Sequence, residues 1–559
     1  MIRMNVRLLL VSFFFLVLAG CGGGSGGSSS TAVQGAADSG PVAVFDTQVF
    51  GAWTAQDGSN EAYEFYAAPT EAPYTGLKTG RILKNGQIVS MFHWSILPNG
   101  SIRINKVARS CPDRPYDRCA TTGQVTITAH GNSIFHARWQ AEFDDNMDGV
   151  IDRKVSDVYD RQEIDLTNIA QGEFFLTRSE NFATPLQGTV ANHTLSVRMV
   201  DFGQPLNLSL NFPSGKGRSL EFASGEALAL QGVVTLDVQG AAPTEFPVKR
   251  WYEHVELSRN ATGGFILEYE THAKVQIPAN LDRALVVLGT TETPEKKSRS
   301  LSVIDKFIST ATIAAGDKFA TAMQLDFNPQ WVIDGVGNEL QFTSALAGQV
   351  NHRDLNHDKY SETRPFNWSR LPDGSLALDF GQGIVISVRF VKPVNGGYQV
   401  LYTFPHPTLG VDYLVHDLIK ESAPVLTEND VPGRYVFTST DGLTQDEVTL
   451  HKDKTVTGIV SGFWRLESNG DLVSFECYDT ANKLITRYED CLASLDDLTK
   501  VHFVHVRRMR FMYKDGNNYQ VKYDANLWGE RPTDGFGGIF FPNYIGISWT
   551  YRWVRVGNE

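Results

Sequence analysis

Trp94-Ser-Ile-Leu-Pro-Asn-Gly100-Ser-Ile102 and Trp368-Ser-Arg-Leu-Pro-Asp-Gly374-Ser-Leu376 align without a gap and share six positions. A third stretch, Trp464-Arg-Leu-Glu-Ser-Asn-Gly470-Asp-Leu472, keeps the Trp-to-Gly spacing. Each reads as a strand carrying a Trp for burial, an Asn-Gly or Asp-Gly turn suited to positive φ, and a returning strand. A second echo follows each time: Asn395-Gly-Gly-Tyr-Gln-Val400 resembles Asn517-Asn-Tyr-Gln-Val521, and more weakly Thr262-Gly-Gly-Phe-Ile-Leu267 and Gly131-Asn-Ser-Ile-Phe135. The two echoes divide the chain into four units of ordinary domain size, 42–165, 166–295, 296–425 and 426–559. The second unit lacks the Trp hairpin. Turn chemistry draws on few residues, so similar hairpins also arise without duplication; the six shared positions favour duplication.

Outside the hairpins the dominant period is two. Ser101–Ile104, Leu195–Met199, Leu206–Phe212 and Ile547–Trp553 alternate apolar and polar residues as half-buried strands do. The expected fold is mainly β, with several antiparallel sandwich- or barrel-like domains in tandem. Gly51-Ala-Trp53 is similar to the Gly-x-Trp of lipocalin-like barrels. Two segments read as short helices: Ser302 to Ile313, and Tyr413 to Lys420, where Leu414, His416 and Leu418 also suit a strand.

With 559 residues the chain is too long for one hydrophobic core, and 42% hydrophobic residues suffice for several. The net charge of -13 argues against a nucleic-acid partner and against a basic membrane-binding patch. At the N-terminus Arg3 and Arg7 precede the largely apolar run Leu8 to Leu18, which closes on Leu18-Ala19-Gly20-Cys21. This segment resembles a bacterial lipoprotein signal peptide with its lipobox, over residues 1–20. The resemblance implies cleavage before Cys21, a lipid on Cys21, and attachment to the cell envelope. Gly22, where enteric-type bacteria place an inner-membrane retention aspartate, points to the outer membrane. A plain cleaved signal and a spanning anchor are the competing readings, and an apolar run of about eleven residues is short for a span. Residues 22–40, rich in Gly and Ser, read as a tether with a mean reach of roughly 25 Å.

Four further cysteines form two local pairs, Cys111 with Cys119 and Cys477 with Cys491. Export to an oxidising compartment favours disulfides over redox or metal roles, since neither pair is Cys-x-x-Cys. By loop entropy each would contribute roughly 2 to 3 kcal/mol.

The segment with the most chemistry is Asp144-Asp-Asn146-Met-Asp148-Gly149-Val150-Ile-Asp152, which resembles EF-hand and dockerin-type calcium loops. The resemblance implies calcium held by Asp144, Asn146, Asp148, the Val150 carbonyl and Asp152. Asp354, Asn356, Asp358 and Glu362 repeat the spacing. Val155 and Pro365 stand where an EF-hand has its bidentate Glu, and Lys359 replaces the turn glycine. Flanks such as His136–Phe143 read as strands, making these hairpin loops. An acidic solvated turn uses the same residue types, because Asp and Asn bond their own backbone.

No catalytic residue is assigned. Gly23-Gly-Ser-Gly-Gly27 lies in the tether, not at a strand-to-helix turn. Asp157, Asp160, Glu253 and Glu256 are acids near aromatics that could serve a glycosidase pair, but surface acids on strands are commoner. Trp528, Phe536, Phe540, Phe541, Tyr544, Trp549, Tyr551 and Trp553 make the C-terminus aromatic; the series Ile547, Trp549, Tyr551, Trp553 reads as a buried strand face. The expected function is a binding or structural role at the cell envelope, with a polysaccharide or envelope-protein partner. The competing expectation is a hydrolase acting on glycans.

Overall fold

The computed structural model describes residues 46–557 apart from 70–77, 108–120, 134–135, 169–171, 178–184, 202–203, 212–215, 218, 222–224, 243, 290, 322–337, 354–359, 407–409, 422–425, 440–444, 459–460, 469, 482, 496–500 and 531–539. Antiparallel strands form four main sheets in tandem. Three are closed eight-stranded barrels, over 51–161, 318–420 and 433–557, in which each strand pairs with the next and the last returns to the first. Residues 172–304 follow the same up-and-down order. Their first and last strands, Gly172–Thr177 and Glu295–Ile304, pair with Phe175 opposite Ile304. Yet among the described residues no ladder closes this sheet. Among the described residues, its fourth strand, Gln204–Asn211, has a ladder only to the third strand, and the segments Ser219–Glu221 and Gly225–Leu236, in the place of a fifth, have ladders only to the sixth.

The Trp hairpins occupy one position of this plan. In each closed barrel they join the fourth and fifth strands: Gln87–Ile96 to Ile102–Val107, Tyr360–Arg370 to Leu376–Asp379, and Gly462–Leu466 to Leu472–Asp479. Their turns are built alike. Gly100, Gly374 and Gly470 have φ of 82°, 86° and 84°, a region open to glycine. Each donates its N–H to the carbonyl three residues back, on Leu97, Leu371 and Glu467. The indoles are anchored to backbone: Trp94 donates to the carbonyls of Tyr66 and Thr79, both at 3.0 Å, Trp368 to Ser344 at 3.1 Å and Trp464 to His451 at 2.8 Å. The unit without a Trp hairpin is therefore the unit with no ladder, among the described residues, between its fourth and fifth strands. The second echo marks the connection from sixth to seventh strand in all four units.

Glycine opposite phenylalanine extends the repeat upstream. Phe92 and Phe366, two residues before their Trp, lie across Gly80 and Gly348 in the neighbouring strand. A Cβ at either glycine would fall 2.2 or 2.4 Å from the facing ring, so the rings enter the core only because the glycines have no side chain.

Ser302 to Ile313 is not a helix. Ser302–Ile304 ends the eighth strand of the second unit, held by pairing to Phe175, Leu176 and Thr177, and Ala311 and Ile313 are buried in the core of the third barrel. Tertiary pairing overrides the local helical spacing there. Strand Glu295–Ile304 also carries the second unit past the join expected at residue 295. Tyr413 to Lys420 lies in strand Gly410–Lys420. Leu414 to Ile419 are all buried, because one face fills the third barrel and the other meets neighbouring units: Val415 packs with Phe175 and Ile304 of the second, Ile419 with Met512 of the fourth. A helix that the sequence reading did not anticipate, Tyr488–Leu495, covers the fifth strand of the fourth barrel.

Candidate functional site

The loop 144–152 joins the seventh and eighth strands of the first barrel, His136–Asp144 and Arg153–Arg161. Positive φ at Met147 and Gly149 folds it back on Asp144. The Asp144 carboxylate is buried and accepts the N–H groups of Asp148 at 3.2 Å and Gly149 at 2.9 Å. Asn146 accepts from Asp148 at 3.0 Å, Asp148 from Val150 at 2.8 Å, and Asp152 from Asp145 at 2.7 Å. The donor set is all oxygen, which fits calcium, and the loop's own amides already occupy it. Among the described residues no three His, Cys, Asp or Glu side chains converge as a metal-holding group. Asp145 points away to Arg153 at 3.0 Å and Lys106 at 3.4 Å, which hold its carboxyl below the usual range. Met147, Val150 and Ile151 are exposed at the tip.

Asp354, Asn356 and Asp358 lie outside the described residues, as do Cys21, Cys111, Cys119 and Phe536; Glu362 falls on strand Tyr360–Arg370 opposite His352. Cys477 and Cys491 form a disulfide, Cα to Cα 5.6 Å, that ties the helix Tyr488–Leu495 to strand Leu472–Asp479. Trp553 is buried against Tyr435, Phe437 and Phe511. Of the acids near aromatics, Glu253 does sit in an aromatic cluster. It accepts from the Trp251 indole at 3.0 Å, lies opposite Glu270 in the sheet, and shares His272 with it at 3.4 and 3.2 Å. The rings of Trp251 and His272 stack. Beside them a bulge holds His254 at φ 50°. Asp160 pairs instead with His136, and burial together with the nearby Asp57 raises the Asp157 carboxyl.

Each junction between units is built around an arginine. At the first, Arg81 joins Glu64 at 2.5 Å and Ser300 at 2.7 Å, and Glu64 also accepts the Ala261 N–H at 2.8 Å. At the second, Arg389 meets Glu173 at 3.2 Å and lies over the rings of Phe175 and Phe307. At the third, Arg510 holds Asp471 of its own barrel at 2.9 Å while reaching Glu339 at 3.3 Å and Glu421 at 3.0 Å in the third barrel. Arg508 adds contacts to Glu467 and Asp471.

No family model, curated protein or solved structure matches this chain. The geometry must therefore carry the functional reading alone. Among the described residues no helix is long and apolar enough to cross a membrane.

Burial and the adjacent Glu339 push Glu421 up to about 7, against an ordinary value of 4.5. The folded protein thus keeps a proton that the unfolded chain releases, so this group's stabilising contribution is full below pH 4.5 and is lost as pH rises through about 7. Glu421→Gln should flatten that part of the stability curve. Urea midpoints of parent and variant at pH 5 and pH 8 check it: the parent loses more between the two than the variant.

The junction arginines and the absence, among the described residues, of a fourth-to-fifth ladder in the second unit were missed by sequence reasoning. That absence had one signal, the missing Trp hairpin; the arginines had none, since their partners lie from 17 to 219 residues away in the chain.

Proposed function

We propose that this chain is a lipid-anchored cell-envelope protein, attached to the outer membrane through Cys21, with a binding or structural role toward a polysaccharide or envelope-protein partner. The observation that carries the reading is one barrel plan used four times, its copies joined by arginine contacts, with a single copy departing from the plan. Binding scaffolds grow by such duplication, and a departure in one copy provides a place for specificity. Calcium would brace loop 144–152 through Asp144, Asn146, Asp148, Asp152 and the Val150 carbonyl. Capture of envelope glycans and proteins by the purified full chain tests the role, and radiolabelled palmitate incorporation lost in Cys21→Ala tests the anchor. Blank arrays together with an unlabelled parent would sink the proposal.

The calcium part has its own test. Calorimetric melting of the protein should show a higher transition temperature in calcium than in chelator, and Asp144→Ala/Asp148→Ala should abolish the difference. Equal melting in both solutions reduces the loop to an acidic turn.

A glycan hydrolase is the second reading, favoured by Glu253 facing Glu270 beside Trp251. Polysaccharide turnover that disappears in Glu253→Gln would move the protein to that class.

A further inference from the structure

We infer that the interior of the fourth barrel binds a carboxylate-bearing ligand on Arg507; this names the ligand chemistry of the binding role and rests on that reading. The Trp hairpins align the interiors of the three closed barrels row by row. Ten residues after the Trp, the fifth strand places Ile104 in the first barrel and Leu378 in the third, paired with Val125 and Ile386 of the sixth strand. All four are fully buried aliphatics. In the fourth barrel the same row is Ser474 paired with Arg507. Arg507 shares its face of strand Val501–Asp515 with Met509 and Phe511, which lie in the barrel core, while Val506 and Met512 on the other face pack against the helix Tyr488–Leu495 and the third barrel. The guanidinium is therefore an interior charge, on a residue 5% exposed.

Its hydrogen bonds leave donors over. Arg507 Nη2 donates to Glu476 at 2.8 Å and to His505 Nδ1 at 2.7 Å, and the Tyr478 hydroxyl donates to the second Glu476 oxygen at 2.9 Å. Neither Nε nor Nη1 has a hydrogen-bond partner. Both Glu476 oxygens are engaged, so what the set lacks is an acceptor, and a buried charged donor is costly to leave without one. A carboxylate only accepts, whereas a hydroxyl would bring a further donor. Room for it lies beside the guanidinium: the residues paired with Arg507 on its two sides are the small Ser474 and Ala525, where the sister barrels carry larger aliphatics, and Phe503, two rows on, stands opposite Gly529. Glu476, Tyr478 and His505 are half-buried, so water reaches the rows beyond Arg507. On the other side Trp464, Met509 and Phe511 fill the core, which sets the entry at the end where Tyr478 and Phe503 lie. The Phe503 ring, 6.0 Å from that of Tyr478 and 6.4 Å from that of His505, supplies an aromatic wall for the body of the ligand.

The test titrates the full chain calorimetrically with octanoate and with trigalacturonate, which carry a carboxylate on an acyl chain and on a glycan, and with the methyl ester of each. At least one acid should bind at a single saturable site, and its ester should bind about tenfold or more weakly. Octanoate alone assigns the site to an acyl source, trigalacturonate alone to an acidic glycan. Ser474→Leu with Arg507→Ile installs the pair that the third barrel carries; this variant should melt as cooperatively as the parent and lose the binding. Ser474→Leu alone keeps the Arg507–Glu476 pair, fills the space beside it and should weaken binding by about tenfold or more; it decides the matter if the double variant does not melt cooperatively. No saturable binding of either acid, an ester that binds as tightly as its acid, or undiminished binding to Ser474→Leu each overturns the proposal. If both acids fail while the chain still captures envelope glycans or proteins, the Arg507 site falls and the binding role stands.

Discussion

Replacing Arg510 with Met lowers the stability of the joint between the third and fourth barrels by about 3–5 kcal/mol, the usual cost of removing one partner from a buried charge set. Asp471 has no exposed surface and Glu339 is nearly as buried, so neither regains water when the guanidinium goes. Arg508 still reaches Asp471 at 3.3 Å, which leaves Glu339 and Glu421, both on the third unit's side of the joint, as the strained pair, with Lys318 at 3.8 Å from Glu339. The loss should appear as a lower urea midpoint and as faster hydrogen exchange around Ile419 and Met512, which pack together at this interface. Replacing the set rather than one member separates two ideas. Well-packed apolar substitutes for buried ion pairs are often neutral or stabilising, so Arg510→Met with Glu421→Leu should recover part of the loss. If Arg510→Met alone leaves both readouts unchanged, the joint is held by its apolar contacts and the arginine is incidental.

Trp94→Ala should be comparably severe, about 3–5 kcal/mol, because it empties a fully buried site in a core that cannot collapse around it. The ring meets Phe65 edge to face at 5.4 Å and carries the Lys78 ammonium 4.9 Å above it. Its indole hydrogen bonds close the barrel end between the second and third strands, so two backbone carbonyls lose their donor as well. The equivalent Trp368 is only partly buried, packed at the rim of its core, and Trp368→Ala should cost clearly less. Trp464, as buried as Trp94, should follow Trp94. Thermal melting of the three variants checks the order. Equal effects at Trp94 and Trp368 would mean that anchoring of the indole N–H, common to all, outweighs burial.

The Trp hairpins were legible because everything that makes them is local. A positive-φ glycine, an Asn or Asp beside it and alternation on both arms lie within nine residues, and Ser101, Ser375 and Asp471 close turns of the same construction. The disulfide Cys477–Cys491 was legible for the same reason, a short separation. Ser302 to Ile313 was misread because its start is held by strand Gly172–Thr177, more than a hundred residues earlier, and its end is buried in the core of the third barrel. Of the candidate site, Glu253 was noticed but Glu270, His272 and the facing register were not, since a cross-strand pair depends on where the bulge at Glu253 to Glu256 falls.

Alternation and turn chemistry thus determined that the chain is mainly β and built from repeated hairpins, both properties of neighbouring residues. The missing Trp hairpin even marked the exceptional unit. Only the tertiary structure decided that all four units join their first and last strands, because that pairing brings together strands about a hundred residues or more apart and no local residue encodes it. It also decided that Arg81, Arg389 and Arg510 become junctions, since their partners are brought to them from strands distant in the chain.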